Sequence, residues 1–316
     1  MAYGFEAKND SGNIIINDTI ENLHFFGKAT RGSADSDYGD IPGYSGSNDT
    51  LDGRVVHTYT ITCSGTPVAF IKPADYARWH AIIKQSVSGT TWTFQVMISG
   101  TSTSNPPEVY CFVNAADVPS SSETYGMQVF KSDGTTKTFD SRKQPLAITG
   151  GGTAVAPSDP TNTGGTPGTT TGHSWNYASN DHDFRSSSQY TAVSDSAANT
   201  STAMFSCPSL AQAVYKRQMH GFKCSDHNWW KSGCQEHHST AAWWVMYRSA
   251  FRLRSGNFDA GWTGYAAGYS FSSSYESGGW FGGGGGSYST GSMPYTAKTI
   301  NLQSNAFIIA DSSRFD

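Results

Sequence analysis

The sequence predicts a mainly β protein with two lobes. Its composition and its short runs of strand-forming residues both favour this fold class. Of the 316 residues, 15% are charged and 13% are aromatic, while Gly, Ser, Thr and Asn are abundant. Disordered chains are poor in aromatic residues, so this composition indicates folded β structure with frequent turns. The length is enough for two ordinary domains. The predicted architecture is an N-terminal β-sandwich, a flexible Gly/Thr/Pro linker and a C-terminal lobe that is irregular but contains β structure.

The N-terminal lobe, residues 1–148, contains a series of predicted strands. Each is rich in Val, Ile, Thr, Tyr or Phe and is bounded by Gly, Ser, Pro or Asn. In Thr91–Ile98 the even-numbered positions are Trp, Phe, Val and Ile, whereas Thr93 and Gln95 are polar, which is the pattern of a half-buried strand. A spacing of about ten residues between strands predicts a β-sandwich. The predicted strands are Arg54–Cys63, Pro67–Ile71, His80–Val87, Thr91–Ile98 and Glu108–Asn114.

Residues 149–173 are the predicted linker between the lobes. Their one charge is Asp159 and their largest apolar side chain is Val155. Such a segment cannot bury enough surface to offset the entropy of ordering it. The C-terminal lobe, residues 174–316, is predicted to be irregular at first, with a short helix over Ser209–Met219, and to resume strand-like alternation over residues 241–275.

A short motif occurs twice in the N-terminal lobe. YGFE at positions 3–6 returns as YGMQ at 125–128. At the same offset a glycine (12 and 134), an aspartate (18 and 140) and a hydroxyl residue (19 and 141) also match. Each copy is predicted to be a hairpin whose glycine adopts a positive φ. The alternative explanation is chance similarity between two unrelated hairpins.

The two copies resemble a module of tail-tip and tail-fibre proteins of tailed bacteriophages. That module has a Tyr-Gly pair, a strand, a glycine turn, a strand that ends in Asp-Ser or Asp-Thr, and a β-sandwich between or after. The resemblance covers residues 1–148, and FIIADSSRFD at 307–316 has a weaker similarity. It implies a virion structural protein at the distal end of the tail, bound to other tail proteins as a homotrimer or another symmetric oligomer.

The resemblance also implies a division of roles between the lobes. The N-terminal lobe would dock to the tail. The C-terminal lobe would contact either neighbouring subunits or a host receptor, which would be a surface glycan or a protein. The expected location is the virion tail, after synthesis in the host cytoplasm.

Charge, hydropathy and cysteine content agree with this expectation. The net charge of −4 argues against a general nucleic-acid-binding protein. No stretch approaches the roughly eighteen consecutive apolar residues of a membrane span, and the first ten residues do not form a signal peptide. The five cysteines cannot all pair with one another, which fits a protein made in a reducing compartment.

A cysteine- and histidine-rich segment, residues 219–238, is a candidate metal site for zinc or iron. Zinc sites use four nitrogen or sulfur ligands at short spacings, although the spacing here matches no standard zinc finger. The alternatives are a Cys224–Cys234 disulfide and an exposed polar loop without a ligand. The candidate ligands are His220, Cys224, His227, Cys234 and His237.

A candidate binding surface lies in the same lobe. Residues 200–254 contain seven Lys or Arg residues but only Asp226 and Glu236 as acids, with several tryptophans nearby. The functional interpretation is a patch for an anionic surface polysaccharide or lipopolysaccharide, and the structural one is a solvated face or a subunit contact with an acidic neighbour. Arg252 and Arg254 are expected on one side of a strand because their positions differ by two. The candidate residues are Arg248, Arg252 and Arg254, together with the aromatic Trp280, Phe281 and Tyr288 around the glycine run 282–286.

The sequence is not expected to encode an enzyme, because it has no G-x-S-x-G and no H-E-x-x-H motif. Asp181 and Asp183 flank His182, which is a weak sign of paired carboxylates for glycoside cleavage. Two alternatives to a tail protein therefore stay open: a carbohydrate-binding adhesin module outside a phage, and a polysaccharide depolymerase.

Overall fold

The structure is a computed structural model that describes most of the chain. The described residues are 6–8, 14–17, 21–35, 54–74, 78–99, 105–120, 122–155, 189–195, 201–207, 212–226, 234–254, 256–275, 288–290, 295–302 and 305–316. Every regular element within these ranges is a β-strand, and the strands pair in antiparallel sheets. The predicted mainly β fold class is therefore confirmed.

Twenty strands are numbered here in chain order. The first ten are β1 Glu6–Lys8, β2 Ile14–Asn17, β3 Leu23–Lys28, β4 Thr30–Asp35, β5 Arg54–Thr62, β6 Val68–Lys72, β7 Trp79–Ser88, β8 Thr91–Ser99, β9 Glu108–Asn114 and β10 Gln128–Phe130. The others are β11 Lys137–Asp140, β12 Ile148–Ala154, β13 Gln189–Asp195, β14 Ala203–Ser206, β15 Gln212–Asp226, β16 Cys234–Arg254, β17 Asn257–Tyr275, β18 Tyr288–Thr290, β19 Tyr295–Leu302 and β20 Asn305–Asp311.

The six-stranded sheet, in the order β12-β20-β14-β6-β9-β3, closes on itself. The N–H of Phe25 donates to the carbonyl of Gln144 at 2.8 Å, and the N–H of Leu146 donates to the carbonyl of Leu23 at 2.8 Å. The chain that pairs with β3 in this way continues directly into β12. Both edges of the sheet are thereby joined, which leaves few unpaired backbone groups there.

Aromatic side chains fill the closed sheet. Phe315 inserts among them, with its ring centroid 5.0 Å from that of Phe25 and 5.1 Å from that of Phe112. The next residue, Asp316, accepts a hydrogen bond from Lys72 at 2.6 Å and another from the hydroxyl of Tyr110. The segment 312–316 therefore packs against strands that lie far earlier in the sequence.

The second sheet has ten strands and packs against the outer surface of the closed sheet. Its main order is β13-β17-β16-β7-β8-β5-β4, and β15 pairs with β16, β18 and β19. Alternation decides what each residue of β6 contacts: Phe70 lies inside the closed sheet, whereas Ala69 and Ile71 join the core between the sheets. The result is a two-layer, sandwich-like arrangement. The core between the sheets contains Tyr59, Ile82, Phe94, Val96, Cys111, Phe205, Phe251, Leu253, Phe258 and Phe307.

The five strands predicted in the N-terminal lobe are confirmed as β5 to β9, with ends that differ by a residue or two. Phe94, Val96 and Ile98 are fully buried, as their alternation predicts. Met97 is buried as well, because the opposite face of β8 also packs in an apolar cluster, with Trp79 and neighbours. The sheet is therefore covered on both faces here, which alternation alone does not reveal.

The predicted helix over Ser209–Met219 is wrong. Residues from 212 onward form the long strand β15, and residues 209–211 lie outside the described part of the chain. β15 pairs with β16 on one side and with β19 on the other. Backbone hydrogen bonds to two neighbouring strands outweigh a weak local preference for helix.

Both sheets run across the predicted lobe boundary at residue 149. β14 pairs with β6 through Phe205 and Ile71, and β16 pairs with β7 through Phe251 and His80. Residues 149–154, at the start of the predicted linker, belong to β12 instead, because their backbone pairs with β20. Residues 156–173 lie outside the described part of the chain. Separate folding of the two lobes stays a prediction.

The two copies of the repeated motif form two hairpins that match in their first strands but differ by one residue in the pairing of the second. Glu6 pairs with Asn17, whereas Gln128 pairs with Asp140, the counterpart of Asp18. β1 pairs with β2 and β10 pairs with β11, each as a two-stranded antiparallel sheet. In both, the register shifts at the same step of the repeat, between Ala7 and Lys8 in the first hairpin and between Val129 and Phe130 in the second. Gly134 has a φ of 69°, as predicted for the turn, and its counterpart at position 12 lies outside the described residues.

Candidate functional site

A polar row crosses four neighbouring strands of the ten-stranded sheet. Trp79 of β7 pairs with Arg252 of β16, Arg252 pairs with Asp259 of β17, and Asp259 pairs with Ser194 of β13. Directly paired positions of antiparallel strands lie on the same face, about 5 Å apart. We call these four residues the junction row, because they span the place where β7 meets β16.

Asp259 is the centre of the junction row. Its side chain is 1% exposed and accepts hydrogen bonds from Arg252 Nη2 at 2.5 Å and from Arg252 Nε at 2.9 Å. Arg254 Nε donates to the same carboxylate oxygen at 2.6 Å, and Ser194 Oγ lies 2.5 Å from the other oxygen. One buried carboxylate thus organises two guanidinium groups.

The electrostatics of this cluster keep Asp259 ionised. Burial alone would raise the pKa of its carboxyl group, but hydrogen bonds from Ser194, Arg252 and Arg254 outweigh burial and lower that pKa. Two arginines and one aspartate leave one positive charge. Arg254 is the more exposed of the two arginines, with 50% of its side chain exposed against 19% for Arg252.

Histidines are buried in the core that lies beneath the junction row. His80 pairs with Phe251 next to the Trp79–Arg252 pair, and its Nδ1 lies 3.0 Å from the carbonyl of Arg78. Burial lowers the pKa of His80 to about 4. Burial also lowers the pKa of His57, followed by the positive charge of Arg31. Both imidazoles are therefore neutral at pH 7.

The structure places only part of the predicted binding surface. Arg248, Arg252 and Arg254 lie on β16, and the last two share one face, as predicted. Their shared contact with Asp259 compensates part of the positive charge on which the prediction depended. Trp280 and Phe281, which also belong to the predicted binding surface, lie outside the described residues. Tyr288 begins β18 and its backbone pairs with Ser225.

The candidate metal ligands lie on a long hairpin formed by β15 and β16. The backbone register pairs Cys224 with Glu236 and Cys234 with Asp226, so the two cysteines are two rows apart. His237 pairs with Lys223 in the adjacent row, and His220 pairs with Thr240 three rows farther along. His227 lies outside the described residues. Because side chains alternate along a strand, the positions of His220, Cys224 and Cys234 share one face of the hairpin and His237 lies on the other. The register therefore does not bring the predicted ligands together as one set, and metal binding stays a prediction.

Sequence reasoning missed Asp259, Ser194 and Trp79. For Asp259 a local signal exists, because Gly256 has a φ of 77° in a tight turn and Arg254 pairs with Asn257. A Ser-Gly hairpin at this point places position 252 opposite position 259. Ser194 and Trp79 have no such signal, since their strands come from distant parts of the sequence.

Comparison with known proteins adds no family to this description. No protein-family model, no curated protein and no solved structure matches the chain. Among the described residues, no helix is long and apolar enough to cross a membrane.

Proposed function

We propose that the protein is a structural component of the virion of a tailed bacteriophage, in the tail tip or a tail fibre. In this role it contributes to tail assembly and to attachment to the host. The observation that supports the proposal most is the pair of similar hairpins. They share the Tyr-Gly motif, a three-residue first strand and a register shift at the same step.

The second hairpin shows how the residues of its copy of the motif contact one another. A Cβ atom at Gly126 would clash with Cγ of Arg142, so any larger residue there would force the Arg142 side chain to move. Arg142 in turn binds the buried carboxylate of Asp140 through Nε at 2.8 Å and Nη2 at 2.7 Å. The N–H of Met127 donates to Ser141 Oγ at 2.7 Å. In this copy Tyr-Gly and Asp-Ser are therefore two parts of one structural unit, whereas the first copy has Ile20 at the position of Arg142.

Asp140 holds the hairpin together through its carboxylate and joins it to the rest of the protein through its backbone N–H. Lys137 Nζ lies 2.8 Å from it and Gln128 Nε2 lies 2.9 Å from it, and the backbone N–H of Asp140 donates to His24 of β3. The hydrogen bond from Arg142 holds the pKa of Asp140 far below its usual range, despite burial. A hairpin fixed in this way presents its outer residues rigidly.

Those outer residues suit contact with another subunit. Tyr125 is 91% exposed, and Met127 and Phe130 are exposed large apolar residues on the same hairpin. Exposed apolar groups gathered on one element are typical of protein–protein contacts. We therefore include a homotrimer or another symmetric oligomer, together with neighbouring tail proteins, in the proposal.

The proposal does not include catalysis. Asp181 and Asp183, the carboxylates considered for glycoside cleavage, lie outside the described residues, so a depolymerase has no structural argument here. A carbohydrate-binding adhesin module outside a phage is the second candidate. It is favoured by the basic and aromatic composition of residues 200–254, which does not depend on the hairpin motif.

Mass spectrometry of purified virions tests the proposal against the adhesin. We expect peptides of this chain in density-gradient-purified particles, at a constant ratio to the major tail proteins. The matched sample is the lysate of the same infected culture after removal of the particles. If the chain is found only in that particle-free fraction, the proposal is wrong.

A further inference from the structure

Two adjacent rows of the ten-stranded sheet combine cationic and aromatic residues, and they lie on opposite faces of the sheet because side chains alternate along a strand. The first row runs from Lys298 on β19 through Lys216 on β15 and Trp244 on β16 to Gly268 on β17. The second row runs in the same order through alanine, arginine, tryptophan and tyrosine. We call the two rows the cationic rows; the members of the second are Ala297, Arg217, Trp243 and Tyr269.

The register creates an electrostatic problem at the first row. Lys216 pairs directly with Lys298, and like charges at directly paired positions destabilise an antiparallel sheet. The nearby strand segments, residues 213–219, 241–247, 264–271 and 295–302, contain no Asp or Glu. No neighbouring position of these segments therefore offers a compensating carboxylate.

The cationic rows differ in this respect from the arginines of the junction row. Arg252 and Arg254 share the carboxylate of Asp259, which compensates part of their charge within the fold. Lys216 and Lys298 pair with each other instead. Two directly paired lysines repel each other, so such a pair is expected where the protein binds a negatively charged partner.

We propose that the first cationic row binds an acidic polysaccharide, that is, a glycan with carboxylate or sulfate groups. Lysine and arginine bind oxyanions through charge-assisted hydrogen bonds, and large aromatic residues supply apolar surface together with a polar edge. Glycine at position 268 allows a ligand to approach the backbone closely. A tryptophan and a glycine beside a lysine pair are thus the residue types that a charged sugar requires.

A nucleic acid is the less favoured partner. It would meet the same lysines and tryptophans, but the net charge of the whole chain is −4, and nucleic-acid-binding domains are usually basic overall. The glycan inference rests on the host-attachment part of the proposed function. It makes no use of the hairpin motif on which the virion location depends.

Binding of the full-length chain to immobilised heparin and alginate, with neutral dextran as the blank surface, tests the inference. Lys216→Glu is the informative variant, because it replaces the lysine pair by an opposite-charge pair with Lys298. A misfolded variant would lose both stability and binding, whereas this one should lose only binding. Lys84→Glu is the matched control, since Lys84 is exposed on β7 of the same sheet and pairs with Gln95.

We expect the unmodified protein to bind both polyanions, and Lys216→Glu to weaken binding by about tenfold or more, the loss of one charge-assisted contact. Its thermal midpoint should be equal to or above that of the unmodified protein, and Lys298→Glu should behave in the same way. Lys84→Glu should change affinity by less than about twofold, as exposed charges usually do.

Three results would overturn the inference. They are absence of polyanion binding, equal loss in Lys84→Glu and Lys216→Glu, and equally tight binding of duplex DNA with the same dependence on Lys216. None of them affects detection of the chain in virions. Failure of the inference and failure of the proposed function are therefore distinguishable.

Discussion

The guanidinium carbon of Arg252 lies 4.8 Å from the centre of the Trp79 ring. The backbones of the same two residues pair, and this pair is one of two that join β7 to β16. A cation placed over an indole contributes about 0.5–2 kcal/mol, depending on its exposure to water. Residues far apart in the sequence are thus joined through both main chain and side chains, and Asp259 fixes the position of Arg252.

Replacing Asp259 by Asn should destabilise the protein, because two arginines would lose their shared carboxylate. We expect a loss of about 2 kcal/mol in the free energy of unfolding, less than for a fully buried ion pair because Arg254 is half-exposed. Urea denaturation would measure it. Asp133→Asn is the control, since Asp133 lies in an exposed turn and Asn keeps an acceptor there. Equal stability of the two variants would contradict the role of Asp259.

Stability should fall as the pH is lowered from about 6.5 to about 4. The pKa of His80 is about 4 in the folded protein and about 6.5 in the unfolded chain, so the unfolded state binds more protons in this range. The contribution of His80 is fully present above pH 6.5. Its loss amounts to about 3 kcal/mol once the pH falls below both pKa values.

Unfolding free energies at pH 7 and pH 4.5 would measure this dependence. His80→Phe removes the titrating group while keeping an aromatic ring, so its stability should change less between the two pH values. His24 and His57 also have pKa values lowered by burial, and they should retain part of the dependence in that variant. An unchanged pH dependence in His80→Phe would show that His80 does not contribute.

Gly126 leaves room for the side chain of Arg142, and a single methyl group tests this. Gly126→Ala should destabilise the protein by about 1–3 kcal/mol, because the new Cβ would displace Arg142 from Asp140. Gly27→Ala is the control, since its Cβ would lie 3.8 Å from the nearest atom, on Ile61. The measurement is the thermal midpoint. If both variants melt together, the motif does not form the unit described.

Purified protein should contain zinc or iron if the cysteines and histidines of the β15–β16 hairpin bind a metal. Elemental analysis of protein purified without chelators would show about one ion per chain, and the double variant Cys224→Ser, Cys234→Ser should lose it. Cys63→Ser is the control, because Cys63 is a buried free cysteine outside this hairpin. Metal-free protein would refute the site, and a Cys224–Cys234 disulfide would then be sought by mass spectrometry.

Local patterns in the sequence were enough to predict strands such as β8, but not to predict which strands pair with each other. The alternation in Thr91–Ile98 predicts β8 correctly, since one strand shows its buried face in its own sequence. The shared side of Arg252 and Arg254 follows from the same parity. The pairing of Phe205 with Ile71 is different, because it joins residues on either side of the predicted linker and leaves no local signal.

The prediction of a helix over Ser209–Met219 was wrong for the same reason. What makes residues 212–226 a strand is the presence of β16 and β19 on either side, and these strands come later in the chain. The Arg252–Asp259 contact is an intermediate case, because a tight turn at Gly256 predicts that these two positions lie opposite each other. The position of Trp79 in the junction row could not be predicted from the sequence.

Immunogold electron microscopy of intact particles tests the central claim most directly. An antibody raised against the full-length chain would be applied to whole virions and to particles whose tails have been removed. We predict label at the distal end of the tail, and no label on tailless particles. Label on the capsid, or none on particles that the same antibody detects after denaturation, would contradict a role at the tail tip or in a tail fibre.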